Sequence, residues 1–251
     1  LRLGEFEKTE LDLEIESLSL PIKKLPIGFQ RIYSNDYLEN RGFEKSEYKK
    51  YKIGYTNLKS SLKNFIIIAV EEAGEVRAYL ARNTLDKKEI DKINKKSKKL
   101  GIEKKVLRYA NSSDDFGKLL LGIDEIDFFT KWVILVEGYF DKVKIDKVLK
   151  LDNSSHIKCC CTFGKNISDF QIKKLKSRGI KNIIVIQDPD AVKDTKKHAD
   201  NLNAQFDKVL VGFSGEKDLG DSNNEEIEKI ISNLKNPMQF KIGISELLKN
   251  G

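Results

Sequence analysis

Three groups of carboxylates stand where a folded chain could gather them. Val133-Ile134-Leu135-Val136 is a compact apolar run that ends in Glu137-Gly138-Tyr139-Phe140-Asp141, and Ile183-Ile184-Val185-Ile186 passes through Gln187 into Asp188-Pro189-Asp190. A third group, Glu216, Asp218 and Asp221, follows the run Lys208–Val211. Clustered carboxylates repel one another, and a divalent cation is the usual relief. Oxygen donors alone favour magnesium or manganese, with water or a substrate phosphate in the remaining positions. Asp141 and Asp190 also stand where the helices that follow need an N-cap, so either residue taken alone reads first as a cap. Acidic groups after three separate strands favour the metal site.

Such residues meet only if the strands that carry them are parallel. The second half of the chain alternates short apolar strands with amphipathic helices, which implies an α/β fold with a parallel sheet and right-handed crossovers. The strands fall at Trp132–Val136, Ile157–Thr162, Ile183–Ile186 and Lys208–Val211. Their carboxyl ends share one edge, where ligands bind in open sheets of this kind. One intervening helix is well marked: Ser168 and Gln171 are spaced as a capping box, Ile167 and Ile172 as a hydrophobic staple, and Gly179 is a stop. Glu225–Leu234 is a further amphipathic helix, and Ile242–Leu248 another.

The first half has a different rhythm. Residues 1–26 carry Glu5, Glu7, Glu10, Asp12, Glu14 and Glu16 ahead of Pro21 and Pro26, and read as a lead-in. Ile27–Tyr55 reads as helical, with Gly42 ending the first helix. Phe65–Val70 and Glu75–Ala81 form a hairpin around Gly74. Between residues 86 and 108 lie Lys87, Lys88, Lys92, Lys95, Lys96, Lys98, Lys99, Lys104, Lys105 and Arg108, against four acidic residues. A solvated helix face and nucleic-acid contact explain that stretch equally well. The expected organisation is a lead-in (1–26), a smaller α+β subdomain (27–130) with the lysine-rich insertion (86–108), a parallel-sheet domain (131–222) and a helical segment (223–251).

Bulk properties set bounds on function. A chain of 251 residues with 39% hydrophobic content can bury one large core or two modest ones. Its net charge of +7 suits a polyanionic partner. No apolar stretch is long enough to cross a bilayer and the first residues lack a signal-peptide core, so a cytoplasmic location is expected, in the host cytoplasm if the source is a bacteriophage. Cys159, Cys160 and Cys161 are consecutive and would alternate across a strand, so they cannot share one tetrahedral metal and read as buried strand residues. His156 and His198 stand alone and receive no role. The start at Leu1 suggests a piece of a longer protein.

Val136-Glu137-Gly138-Tyr139-Phe140-Asp141 and Asp188-Pro189-Asp190 resemble the V-E-G-x-x-D and D-x-D hallmarks of the Toprim family. Upstream, Arg108-Tyr109-Ala110-Asn111-Ser112-Ser113, then Phe116-Gly117-Lys118 and Leu121-Gly122, resemble the K-Y-x-N-S, F-x-K and L-x-G segments of DnaG-type primases. Phe65 to Arg82 resembles their hairpin, and Tyr37–Phe43 with Lys52–Tyr55 their helical lead-in. The resemblance covers most of residues 30–222. Ile68 stands in place of the hairpin proline, Arg108 in place of a lysine, Val192-Lys193 where a glycine is frequent, and Gly164-Lys165-Asn166 where a glycine-threonine pair is common. These departures suggest a divergent, bacteriophage-type member. No cysteine and histidine set for the family's zinc-binding template reader is present, so the chain resembles a core without that module.

The resemblance implies a DNA primase: metal-dependent nucleotidyl transfer that makes short RNA primers on single-stranded DNA for replication, from ribonucleoside triphosphates, with Mg2+ or Mn2+. It assigns Glu137, Asp188 and Asp190 as principal catalytic and metal-binding carboxylates, with Asp141, Asp218 and Asp221 as lesser metal candidates acting through water. Arg82, Lys118, Lys63, Arg108 and Asn111 become candidate triphosphate or template contacts, although Lys63 reads equally as an ordinary surface cation. A replicative helicase would be the natural partner within a primosome. Two alternatives stay open: a Toprim nuclease using the same carboxylates, and a non-catalytic nucleic-acid-binding replication accessory.

Overall fold

The computed structural model describes residues 18–102, 105–187, 201–215 and 218–236. The chain forms two compact units, one of Pro21–Asp114 and one of Leu1–Leu20 with Asp115–Gly251. Asp115–Thr130 therefore belongs with the second unit, because Leu120, Ile123 and Ile126 are buried in its core.

The first unit runs β1 (Phe29–Arg31), α1 (Asp36–Glu39), α2 (Glu47–Lys50), β2 (Ile53–Thr56), β3 (Phe65–Glu72), β4 (Glu75–Asn83) and α3 (Lys87–Lys99). Its sheet is antiparallel in the order β1-β2-β3-β4. The expected hairpin is present and its strands run on by two residues each, to Glu72 and Asn83. Ala73 and Gly74 both take positive φ, as a two-residue type I′ connection requires.

The helical reading of Ile27–Tyr55 is corrected. That segment holds two strands and only two single-turn helices. β1 and β2 pair in register from Phe29↔Thr56 to Arg31↔Gly54, so backbone pairing overrides the spacing of the aromatics. Gly42 does end the first helix: its φ is positive and the Phe43 amide bonds back to the Leu38 carbonyl, the long bond of a Schellman motif.

The second unit runs β5 (Trp132–Val136), α4 (Tyr139–Val148), β6 (Ile157–Cys161), α5 (Asp169–Ser177), β7 (Asn182–Gln187), β8 (Lys208–Phe213) and α6 (Asn224–Ser232). Its sheet is parallel throughout, in the order β6-β5-β7-β8. The expected fold class is thus observed: a helix-flanked parallel sheet, preceded by a smaller mixed unit. Strand side chains alternate between two faces. Val133, Leu135, Cys160, Ile183 and Val185 pack with Ile172 and Leu175 of α5. Ile134, Val136, Cys159, Cys161, Ile184 and Ile186 pack with Ile145 of α4 and with Ile227 and Ile230 of α6. The cysteines are free, and burial pushes their thiols far up. They alternate across the strand as expected.

The signposts of α5 are also present. Ser168 and Gln171 form a reciprocal capping box. Ile167 and Ile172 lie in one cluster, and Gly179 takes positive φ. No helix among the described residues is long and apolar enough to cross a membrane. Ile242–Leu248 lies outside the described residues.

Candidate functional site

β5 occupies an inner position, with β6 on one side and β7 on the other. The chain leaves β5 for one neighbour and later returns to the other, which makes the carboxyl end of β5 the topological switch point of the sheet. Glu137 is the first residue beyond that strand. β5 pairs with β7 up to Leu135↔Val185, so Glu137 and Gln187, the last residue of β7, each lie two residues beyond that pair. Asp188 and Asp190 follow directly in sequence and lie outside the described residues, as does Glu216.

Asp141 is not the helix N-cap. Gly138 is, and Asp141 sits three residues on, where its Oδ2 accepts the Gly138 amide at 2.8 Å. Its Oδ1 accepts the Gly220 amide, also at 2.8 Å. One carboxylate therefore joins the first turn of α4 to the 3₁₀ turn Leu219–Asp221. A Cβ on Gly138 would stand 2.7 Å from Asp141 Oδ2, so the glycine is what lets this bridge close. Asp218 and Asp221 flank Gly220 and are exposed. The bridge thus holds their turn against the start of α4.

The edge is reinforced from both sides of β5. Thr162 Oγ1 lies 3.0 Å from the Val136 carbonyl and 2.8 Å from that of Gly164. Gln187, buried at the end of β7, donates from Nε2 to the Lys165 carbonyl at 3.0 Å. The loop after β6 therefore reaches past the end of β5 to β7. Its Phe163 takes a positive φ and stacks edge-on against Phe116 at 5.1 Å. Strained backbone of this kind is held where surrounding contacts over-determine it.

Lys118 lies at the end of the 3₁₀ turn Phe116–Lys118, with Nζ 4.9 Å from the centre of the Phe170 ring. Side chains of α5 fix the backbone around it. Gln171 Nε2 donates to the Leu119 carbonyl at 2.7 Å, Lys174 Nζ to the Lys118 carbonyl at 2.6 Å, and Ser168 Oγ to the Gly117 carbonyl. Sequence reasoning missed Phe170 and Lys174. The available signal was polar Gln171 and Lys174 lying on the same helix face as Ile172 and Leu175, where both are buried.

A second missed group lies on α4. Lys142 and Asp146 are each only 4% exposed, and the Lys142 ammonium lies 2.7 Å from Asp146 Oδ2 and 2.9 Å from Glu125 Oε1. Burial works against its charge, but the Asp146 and Glu125 carboxylates outweigh this and hold it well above the usual lysine range. The ammonium stem passes close beneath Gly122. There φ is +98°, and a Cβ would stand 2.6 Å from both Lys142 Cε and the Cys159 carbonyl. This explains the glycine of the Leu121-Gly122 segment.

The remaining candidates sit in the first unit. Arg82 is 3% exposed, with its guanidinium 5.4 Å from the Tyr37 ring centre and 5.0 Å from that of Tyr109. It donates to Tyr37 Oη at 3.0 Å and to the Arg108 carbonyl at 3.2 Å. Such a sandwich makes Arg82 a pin for its neighbours, and Arg108 beside it is exposed. Asn111 accepts the Ala81 amide, and Ser112 Oγ the Tyr79 amide, along the outer edge of β4. Lys63 is exposed just before β3.

Among the described residues, no group of three or more histidine, cysteine, aspartate or glutamate side chains is assembled for a metal. The carboxylates described at this edge, Glu137, Asp141, Asp218 and Asp221, offer oxygen donors, which suit a hard cation. Of these, Asp141 is committed to two backbone amides and is better placed to position the site than to bind the ion. Neutralising an unliganded carboxylate cluster relieves repulsion, whereas breaking a bridge removes hydrogen bonds. Asp141→Asn is therefore expected to lower stability by about 1–3 kcal/mol, since its amide group turns a donor towards one of the two N–H groups. Urea denaturation measures this, and a gain in stability would mark Asp141 as one of a set of repelling ligands.

The fold is similar to that of primase RNA polymerase domains. The RNA polymerase domain of Mycobacterium tuberculosis primase DnaG superposes with a TM-score of 0.58 at 13% identity, covering 83% of this chain and 78% of that one. A chain of the structure of bacteriophage T7 lagging-strand DNA polymerase interacting with primase domains of two gp4 subunits, bound to an RNA/DNA hybrid and dTTP, matches with a TM-score of 0.50 at 14% identity. That match covers 82% of this chain and 93% of the other. No family model matches the sequence, and no curated protein matches it.

Proposed function

We propose that this chain is a primase catalytic core, which joins ribonucleotides into a short primer on single-stranded DNA. The observation that carries the reading is the position of Glu137 at the switch point of a parallel sheet, in a fold similar to primase RNA polymerase domains, with Asp188-Pro189-Asp190 directly after the neighbouring strand.

In the proposed reaction a primer 3′-hydroxyl attacks the α-phosphate of a nucleoside triphosphate. The new P–O bond forms as the bond to pyrophosphate breaks, and the hydroxyl proton passes to solvent. Glu137, with Asp188 and Asp190, would hold Mg2+ or Mn2+ in a Toprim-type acidic site, with Asp218 and Asp221 as outer acceptors for its water. When bound, such ions lower the pKa of the attacking hydroxyl and stabilise charge on the phosphoryl oxygens. Asp141 positions: it fixes the start of α4, and so Glu137, against the turn that carries Asp218 and Asp221. Lys118, steadied by Phe170, is offered as a cation for the triphosphate, and Arg108 with Lys63 as contacts for the template backbone. Arg82 acts indirectly, holding Tyr109 and Tyr37 in place.

The test is ribonucleotide incorporation on unprimed single-stranded DNA. The same incubation without triphosphates, followed for cleavage of the DNA, separates a nuclease: strand scission without synthesis would overturn the reading.

A further inference from the structure

The lysine-rich stretch between β4 and Arg108 resolves into one helix with two unlike faces. α3 opens with a reciprocal capping box between Asp86 and Glu89, which commits Glu89 to its own backbone. Ile90 is buried, and Asn94 is half-buried and gripped at both ends of its amide: Nδ2 donates to the Val106 carbonyl at 3.0 Å and Oδ1 accepts the Val106 amide at 2.8 Å. Ser97 is half-buried on the same side. The inward face is therefore defined by residues 90, 94 and 97.

Directly opposite stand Lys88, Lys92, Lys95 and Lys99, all exposed. Their spacing of four, three and four residues confines them to an arc of about 60° and a length of about 16 Å at 3.6 residues per turn and 1.5 Å per residue. With Lys96 and Asp91 they make up one exposed surface of the helix. A helix face shaped for water alone intersperses both signs along its i, i+4 positions. Here Asp91 is the sole acid among these six residues. A row of like charges works against the helix that carries it unless a polyanion shares the field. The Asn94 clamp also ties α3 to the segment leading into Arg108 and Tyr109, whose cation and ring stand 5.8 Å apart. An exposed arginine beside an aromatic face matches the backbone charge and base stacking of an unpaired strand.

We propose that the outer face of α3 is a binding surface for the sugar-phosphate backbone of single-stranded DNA, with Lys88, Lys92, Lys95 and Lys99 as the phosphate contacts. It reads charge and spacing, not sequence. Binding at this surface does not depend on the reaction proposed for the acidic edge.

The experiment is fluorescence anisotropy of a labelled oligothymidylate titrated with the full chain over a series of salt concentrations. The variant Lys88→Gln/Lys92→Gln/Lys95→Gln/Lys99→Gln is compared with a charge-matched control, Lys45→Gln/Lys49→Gln/Lys173→Gln/Lys181→Gln, at other exposed lysines. Each phosphate contact on a single strand contributes about 0.7 to the slope of log K against log salt, so the α3 variant should lose about 2 to 3 from that slope while the control keeps it. Circular dichroism should show α3 retained. An unchanged slope overturns the proposal, as does an equal loss in the control. So does a variant that keeps its DNA slope but no longer binds polyglutamate, which would assign the face to an acidic protein. Glu137→Gln should keep the wild-type slope, so loss of catalysis and loss of this surface are read separately.

Discussion

Glu137→Gln abolishes primer synthesis while the fold survives: that is the largest effect expected of any single change at the acidic edge. Glutamine keeps the shape and removes the charge. Metal-held charge stabilises a phosphoryl transition state by several kcal/mol. Losing about 3–4 kcal/mol of it lowers the rate roughly 10²- to 10³-fold. The thermal midpoint should stay or rise, because a carboxylate at an edge that also carries Asp218 and Asp221 repels its neighbours when no cation is present. Asp188→Asn should behave alike. Primer yield at limiting magnesium, read beside a melting curve, tests both. Wild-type synthesis by Glu137→Gln would remove the acidic-site assignment.

The second large effect is on stability. In Lys142→Met the ammonium between Asp146 and Glu125 is replaced by a chain of similar volume, and Asp146, 4% exposed, loses the Lys142 cation. Removing one partner from a buried pair costs about 3–5 kcal/mol. The midpoint should fall by roughly 10 °C on the scale of about 2–4 °C per kcal/mol for chains of this size. Glu125 is half-exposed and loses little, since water can take over its solvation. The double variant Lys142→Met/Asp146→Leu should recover most of the loss, because an apolar pair leaves no charge to compensate. Thermal unfolding of both variants tests this, and a single variant as stable as wild type would mean that the triad contributes nothing to the fold.

The parallel sheet was legible because its inner strands are buried on both faces and so are written as apolar runs. Trp132–Val136 is matched residue for residue, and Ile183–Ile186 gains one residue at each end. The first unit was harder to read. β1 is three residues long, with Phe29 half-buried and Gln30 and Arg31 exposed, so it leaves no apolar signature, and the aromatics around it suggested a helix. Within the candidate site, Glu137 announced itself by following an apolar strand. The role of Asp141 did not, because its second partner, Gly220, lies 79 residues away. Lys142 and Lys174 were passed over for a related reason: charged residues on a helix read as its wet face, and only packing reveals them turned inward.

Templated ribonucleotide transfer at the edge carrying Glu137 is read out on unprimed single-stranded DNA. The purified chain is incubated with that template, four ribonucleoside triphosphates, one of them labelled, and magnesium, and the products are resolved by length and by sensitivity to ribonuclease. Short ribonuclease-sensitive products are expected that depend on both template and magnesium and that vanish in Glu137→Gln. Products that form without template, or no products from a folded chain that still binds the DNA, would contradict templated transfer at this edge.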